Sequence, residues 1–139
     1  LGRRSLGGFL MADTDWVQVG ATVAEYDHRY RMNPRVAFVT VERITPAQIV
    51  CVNGNRYRRD NGTRVGERGV EIRPVDDREV RGVVAKRTAE RLCFDVDRMR
   101  LAMGRGETDA LALLDQVEAA VAAARAMIDD PVGSGWTSY

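Results

Sequence analysis

The densest run of side chains able to do chemistry is Asn55-Arg56-Tyr57-Arg58-Arg59-Asp60. On a strand, alternate side chains point to opposite faces, so Arg56 and Arg58 stand side by side while Tyr57 faces into a core. Two guanidinium groups placed this way can grip phosphate oxygens bidentately. With Arg43 and Arg64 close by in the same sheet, they predict a basic stripe that binds nucleic acid. The competing reading pairs Arg56 and Arg58 with Glu42 or with acids of the C-terminal segment and leaves an ordinary solvated face. Rings on which bases could stack come only from Trp16, Tyr26 and Tyr30, provided these face outward.

The other chemistry-bearing residues point elsewhere. His28 is the only histidine, and it sits in the polar stretch Tyr26-Asp27-His28-Arg29-Tyr30 with no Ser or Cys motif beside it, as expected of a solvated loop residue. The acid pairs Asp76/Asp77, Asp95/Asp97 and Asp129/Asp130 have no spacing that would make two of them converge, and two helical residues two apart diverge by about 200°. Gly62 and Gly66 read as turn glycines, since no lysine follows them in a phosphate-loop pattern. Cys51 and Cys93 are far apart and fit neither a zinc site nor a disulfide framework, so both are expected as buried, reduced thiols. No catalytic residue, metal ligand or cofactor is therefore predicted, and a binding module is expected in place of an enzyme.

Total charge says less than its distribution. The 139 residues carry 21 basic and 20 acidic side chains, a formal charge of +1, with 45% hydrophobic and 29% charged residues, close to the averages of soluble globular domains. Residues 16–74 hold ten arginines against six acids, whereas residues 76–130 hold nine basic against twelve acidic side chains. A polyanion should prefer the first segment. Lys86 is the only lysine, an arginine bias expected of a GC-rich genome. No apolar run approaches the roughly 20 residues of a membrane helix, so no membrane association and a cytoplasmic location are expected. Leu1 to Leu10 lack the continuous apolar core of a signal peptide. They read as an extension upstream of a start at Met11, or a cloning remnant, within a disordered stretch over residues 1–15.

The elements that must position these residues change character once along the chain. Strands are predicted over Val17–Tyr26, Arg35–Ile44, Gln48–Val52, Arg56–Arg59 and Val70–Arg73, with turns at Asn33-Pro34, Thr45-Pro46, Asn53-Gly54 and Asp60-Asn61-Gly62. Five short strands so closely spaced suit a small closed barrel over residues 16–75, because closure removes exposed edges. After Pro74, Asp76 and Glu79 read as a capping box opening a helix that Gly104-Arg105-Gly106 ends. A second helix is expected from about Thr108 to Ile128. Its Leu114, Val117, Val121, Ala124 and Ile128 form a heptad seam able to drive a homodimer or to dock on another protein. The expected fold is α+β: an SH3-like antiparallel β-barrel, an antiparallel helical hairpin over residues 76–130, and a flexible tail over 131–139 holding Trp136 and Tyr139.

Val41-Glu42-Arg43-Ile44-Thr45-Pro46-Ala47-Gln48-Ile49-Val50, followed by Arg56-Tyr57-Arg58-Arg59-Asp60-Asn61-Gly62-Thr63-Arg64-Val65-Gly66, resembles small uncharacterised β-barrel proteins of bacteriophages, actinobacteriophages among them, and of prophages. The resemblance covers roughly residues 16–130 and includes a charged helical segment after the barrel. It implies a phage-type accessory binding module in the host cytoplasm, without catalytic residues. Val19-Gly20-Ala21-Thr22-Val23 is also similar to the first strand of SH3-like and KOW barrels, which often bind RNA, DNA or protein, with Ala21 where an acid is usual. The expected partners are thus DNA or RNA on Arg43, Arg56, Arg58 and Arg64, or alternatively a host or virion protein, or a second copy, on the helical seam.

Overall fold

The computed structural model describes residues 14–134. Strands β1 (Thr22–Asp27), β2 (Arg35–Ile44), β3 (Gln48–Cys51), β4 (Arg56–Arg58) and β5 (Val70–Arg73) precede helices α1 (Arg78–Gly104) and α2 (Ala110–Asp129). The strands follow one another in the order β4-β3-β2-β1-β5, every pairing antiparallel. Isolated bridges from Arg64 to Tyr57 and from Thr63 to Glu71 join the free edges of β4 and β5. The strip thereby curls into a nearly closed barrel, followed by a two-helix hairpin, the α+β arrangement read from the sequence. The chain divides into one compact unit ending at Val80 and a second beginning at Arg81.

Within the barrel, β2 does the work of two strands. Residues Arg35 to Thr40 pair with β1, and Val41 to Ile44 pair with β3. Between Val41 and Arg43 the register shifts by a bulge at Glu42, and such an extra residue bends a strand enough to pass from one sheet to the next. Val17, Val23, Val41, Ile49, Cys51, Tyr57 and Ile72 fill the interior, with Trp16, Val39 and Ile44 packed against them. The Asn53-Gly54 turn joins β3 to β4, with Gly54 at φ 89°, a conformation open to glycine at little steric cost. The first strand is shorter than its alternation predicts, starting at Thr22 and not at Val17. Gly20, at φ 84°, and the bond from the Ala21 N–H to the Gln18 carbonyl at 3.1 Å make a turn there, although Val17 still reaches the core.

The helix starts also lie slightly beyond their predicted places. Asp77, and not Asp76, caps α1: its Oδ2 accepts the N–H groups of Glu79 at 3.0 Å and Val80 at 3.2 Å. A turn from Pro74, closed by the Asp77 N–H on the Pro74 carbonyl at 3.0 Å, brings the second acid to the cap. Glu79 does not return to the cap as in a capping box; it is held elsewhere, as described below. Asp109 caps α2 through its Oδ1 and the Ala112 N–H at 2.8 Å. The α2 residues most withdrawn from solvent are Ala124 and Met127, with Leu113, Val117, Ala120 and Val121 half-buried, whereas Leu114 and Ile128 of the predicted seam are exposed. Cys93 is exposed on α1 and only Cys51 is buried, because Cys93 is turned by about 100° from the half-buried Leu92. Trp136, Tyr139 and the N-terminal extension up to residue 13 lie outside the described residues.

Candidate nucleic-acid interface

β4 alternates as expected, with Tyr57 completely buried and Arg56 and Arg58 exposed on the outer face. Arg56 donates from Nη1 to Gln48 Oε1 at 3.1 Å. Arg58 grips Asp60 with two nitrogens, at 2.9 and 3.2 Å, and these bonds hold the Asp60 carboxyl below its ordinary range. The partners within the barrel are therefore Gln48 and Asp60, and not Glu42. Arg43 faces Val50 in register, and Val50 faces Arg56, so two arginines flank one valine across the outer face. Val50 itself is nevertheless buried, at 4% exposed.

Arg64 departs from the predicted stripe. Its bridge to Tyr57 brings its guanidinium to Asn55 Oδ1 at 3.1 Å and to within 3.8 Å of Glu25 Oε1. That carboxylate oxygen also accepts the Tyr57 hydroxyl and the Asn55 amide at 3.1 Å. Burial first, and then the bond to Glu25, raise the Tyr57 pKa far above its ordinary value. Burial, with the Glu25 charge added, pushes the Cys51 thiol up to about 11. This cluster is an internal polar brace that serves the barrel and leaves Arg43, Arg56 and Arg58 as the outward members of the expected set.

Beside them opens a groove of about 990 Å³ lined by Arg58, Arg59, Arg64 and Arg68 and also by the acids Asp15, Asp60 and Glu67, of which Asp60 and Glu67 are paired with arginines. Arg59 is held at the groove by its Nη1, which donates to the Thr45 carbonyl at 3.3 Å, while its carbonyl accepts the hydroxyl of the buried Thr14. Arg59 belongs to the run singled out in the sequence but not to the alternating Arg56/Arg58 pair, and Arg68 carries no motif or periodic spacing that would have marked it. Only the fold brings the turn before β3 against the loop after β4.

Ion pairs inside the barrel segment sharpen its charge. Of its six acids, Glu25, Asp27, Asp60, Glu67 and Glu71 pair with just four arginines, Arg29, Arg58, Arg64 and Arg73. Arg31, Arg35, Arg43, Arg56, Arg59 and Arg68 have no carboxylate at ion-pair distance among the described residues. Against these six cations stand the exposed Glu42 and, just before the segment, the exposed Asp15 of the groove lining.

Arg73 plays a part that sequence reasoning missed. It donates to Glu71 at 2.9 Å, to Asp77 at 3.3 Å and to Glu79, and its guanidinium lies 4.2 Å over the Tyr26 ring. Burial opposes its charge, but the bonds to Glu79 and Glu71 outweigh this and raise its pKa. The Tyr26 hydroxyl reaches the other Glu79 oxygen at 3.5 Å, while His28 bonds Glu71 at 3.1 Å and stacks on Tyr26. His28 thus belongs to a brace around the first turn of α1. No group of His, Cys, Asp and Glu side chains able to hold a metal occurs among the described residues, and no helix among them is long and apolar enough to cross a membrane. Comparison with family models, with curated proteins and with solved structures finds no match.

Proposed function

We propose that the barrel is a nucleic-acid-binding module that takes phosphates along the arginine-lined groove between the start of β3 and the loop after β4. The observation that carries this reading is the sorting of charge, with five acids neutralised by four arginines and six arginines left over. Arg43, Arg56, Arg59 and Arg68 supply cations, and Arg58 joins when a phosphate displaces Asp60, a surface pair worth little to stability. Guanidinium groups suit phosphate through paired N–H donors, and phosphate contact requires no particular base sequence. Within this proposal the chain is a phage-type accessory protein, a reading supported by the Val41-to-Gly66 sequence alone. The test is fluorescence anisotropy of labelled DNA and RNA at low and near-physiological salt. Binding that weakens steeply with salt supports the proposal; unchanged affinity in Arg56→Glu, or no binding at low salt, overturns it.

A second reading rests on a different observation. Leu114, 55% exposed, and Ile128, 40% exposed, lie on one line of α2 with the half-buried Val121, and this apolar edge suits a homodimer or a protein partner. Sedimentation of the parent protein and of Leu114→Asp tests it. A dimer that the substitution dissociates supports this reading.

A further inference from the structure

The groove leads onto a second exposed feature of the barrel. Glu67, in the groove lining, binds Arg29 Nη1 at 3.0 Å, and Arg29 also clamps Asp27 from two nitrogens at 2.7 and 3.0 Å. The His28 N–H donates to the Gly69 carbonyl at 2.8 Å. At Gly69, which has φ 79°, a Cβ would come within 2.9 Å of Arg29 Cγ, so a glycine allows this close seat. The loop between β1 and β2 is thus fastened at its base to the segment that forms the groove wall.

Beyond that base the loop turns outward. The Asn33 N–H donates to the Tyr30 carbonyl at 2.8 Å, closing a turn that leaves Tyr30 69% and Met32 89% exposed. Arg31 lies between these two residues in the chain and Arg35 three residues after the second, and both belong to the six arginines without a carboxylate partner. Of the three rings that the sequence offered for stacking, Tyr26 is buried and Trp16 packs against the core, so Tyr30 is the one presented to solvent.

Resting on the groove reading, we infer that Tyr30 is a stacking platform for an unpaired base, and that the ligand of the barrel is therefore single-stranded nucleic acid. Phosphates lie along Arg58, Arg59 and Arg68, and the strand continues past Glu67 and Arg29 to Arg31 and Arg35, where one base is laid on the ring. A duplex keeps its bases stacked on one another and offers a protruding side chain no free face, whereas a single strand splays bases at little cost. An aromatic ring beside arginines, continuous with a groove that sets four arginines against three acids, has the elements of a sequence-tolerant single-strand site.

The experiment titrates the full chain against a labelled single-stranded oligothymidylate of about 12 nucleotides, against a duplex of the same length, and with heparin as a competitor that has anions but no bases. The variants are Tyr30→Ala, Tyr30→Trp and Arg56→Glu. Tyr30 is exposed, so its replacements should leave the fold intact, which circular dichroism checks. Expected are tighter binding of the single strand than of the duplex and about tenfold weaker single-strand binding in Tyr30→Ala, with the salt dependence and the duplex affinity unchanged and binding restored in Tyr30→Trp. Unaltered single-strand affinity in Tyr30→Ala, equal affinity for duplex, or heparin competing equally against parent and Tyr30→Ala complexes with no affinity gap between them overturns the inference. If Arg56→Glu still weakens binding in those cases, the groove reading stands alone; if no oligonucleotide binds at low salt, both fall.

Discussion

Glu25 gathers the donors of Tyr57, Asn55 and Arg64 around one carboxylate oxygen inside the barrel. A hydrogen bond to a charged group contributes about 1.5–3 kcal/mol, so Tyr57→Phe should lower the unfolding free energy in urea by roughly that amount while leaving the affinity of the groove unchanged. Alkaline pH should act on the same place. The Cys51 pKa is raised from 9.0 to about 11 and that of Tyr57 is raised above 10.0, so the native state holds these protons after the unfolded chain has begun to release them. Their stabilisation is complete below pH 9, the unfolded value of the thiol, and is lost as pH rises toward and through the folded values. Thermal melts between pH 8 and about 11 should show a midpoint that falls above pH 9. Under native conditions a thiol reagent should modify Cys93 rapidly and Cys51 only on unfolding, since Cys51 is buried and its thiolate is disfavoured. Alternation alone told Tyr57 from Arg56 and Arg58. The turn of Arg64 toward Glu25 was not legible, because a lone bridge after Gly62 leaves no periodic trace. The exposure of Cys93 was missed for a similar reason: Cys is usually buried, and a single position on a long charged helix says nothing of its direction.

At the scale of elements, caps and turns were readable to within a residue or two and faces were not. Asp76-Asp77 and Thr108-Asp109 each offer two capping residues, and the second takes the role both times. Asp109→Ala should therefore destabilise the helical unit by about 1 kcal/mol, measurable as reduced helicity on mild heating, whereas Thr108→Ala should have little effect. The inner line of α2 follows Leu113, Val117, Ala120, Ala124 and Met127, and the predicted seam followed Leu114, Val117, Val121, Ala124 and Ile128. Both lines step by three and four residues. A helix this rich in alanine and leucine satisfies heptad spacing along two adjacent lines, and only packing chooses between them. The bulge at Glu42 left only a faint trace, one extra polar residue in Val41-Glu42-Arg43-Ile44, which a strand end or turn would leave as well.

For the whole molecule, a formal charge of +1 conceals a segregated surface. The barrel composition announced a surplus of cations, but pairing decides which of them meet a ligand, and pairing is a property of the fold. If about four phosphates are engaged, single-strand affinity should fall by about 50-fold between 50 and 200 mM salt. A slope near zero would mean that the six unpaired arginines do not face the ligand. Doubling the charge change, with Arg43→Glu and Arg56→Glu together, should flatten that slope by about 1.4 while leaving the melting temperature close to that of the parent, since both side chains are exposed.

The pairing of β5 with β1 sets an order of assembly. The hairpins β1–β2, β2–β3 and β3–β4 join neighbours in the chain, while the contacts of Ala24 with Arg73 and of Tyr26 with Glu71 span most of the barrel. Loop closure of that length makes β5 the late arrival. Arg73 comes with it, and only then can it lie on Tyr26 and bring Glu79 to the Tyr26 hydroxyl. The head of α1 is consequently locked to the barrel as the last step of closing it. A refolding trace followed through Tyr26 should lag behind one that reports the hairpins.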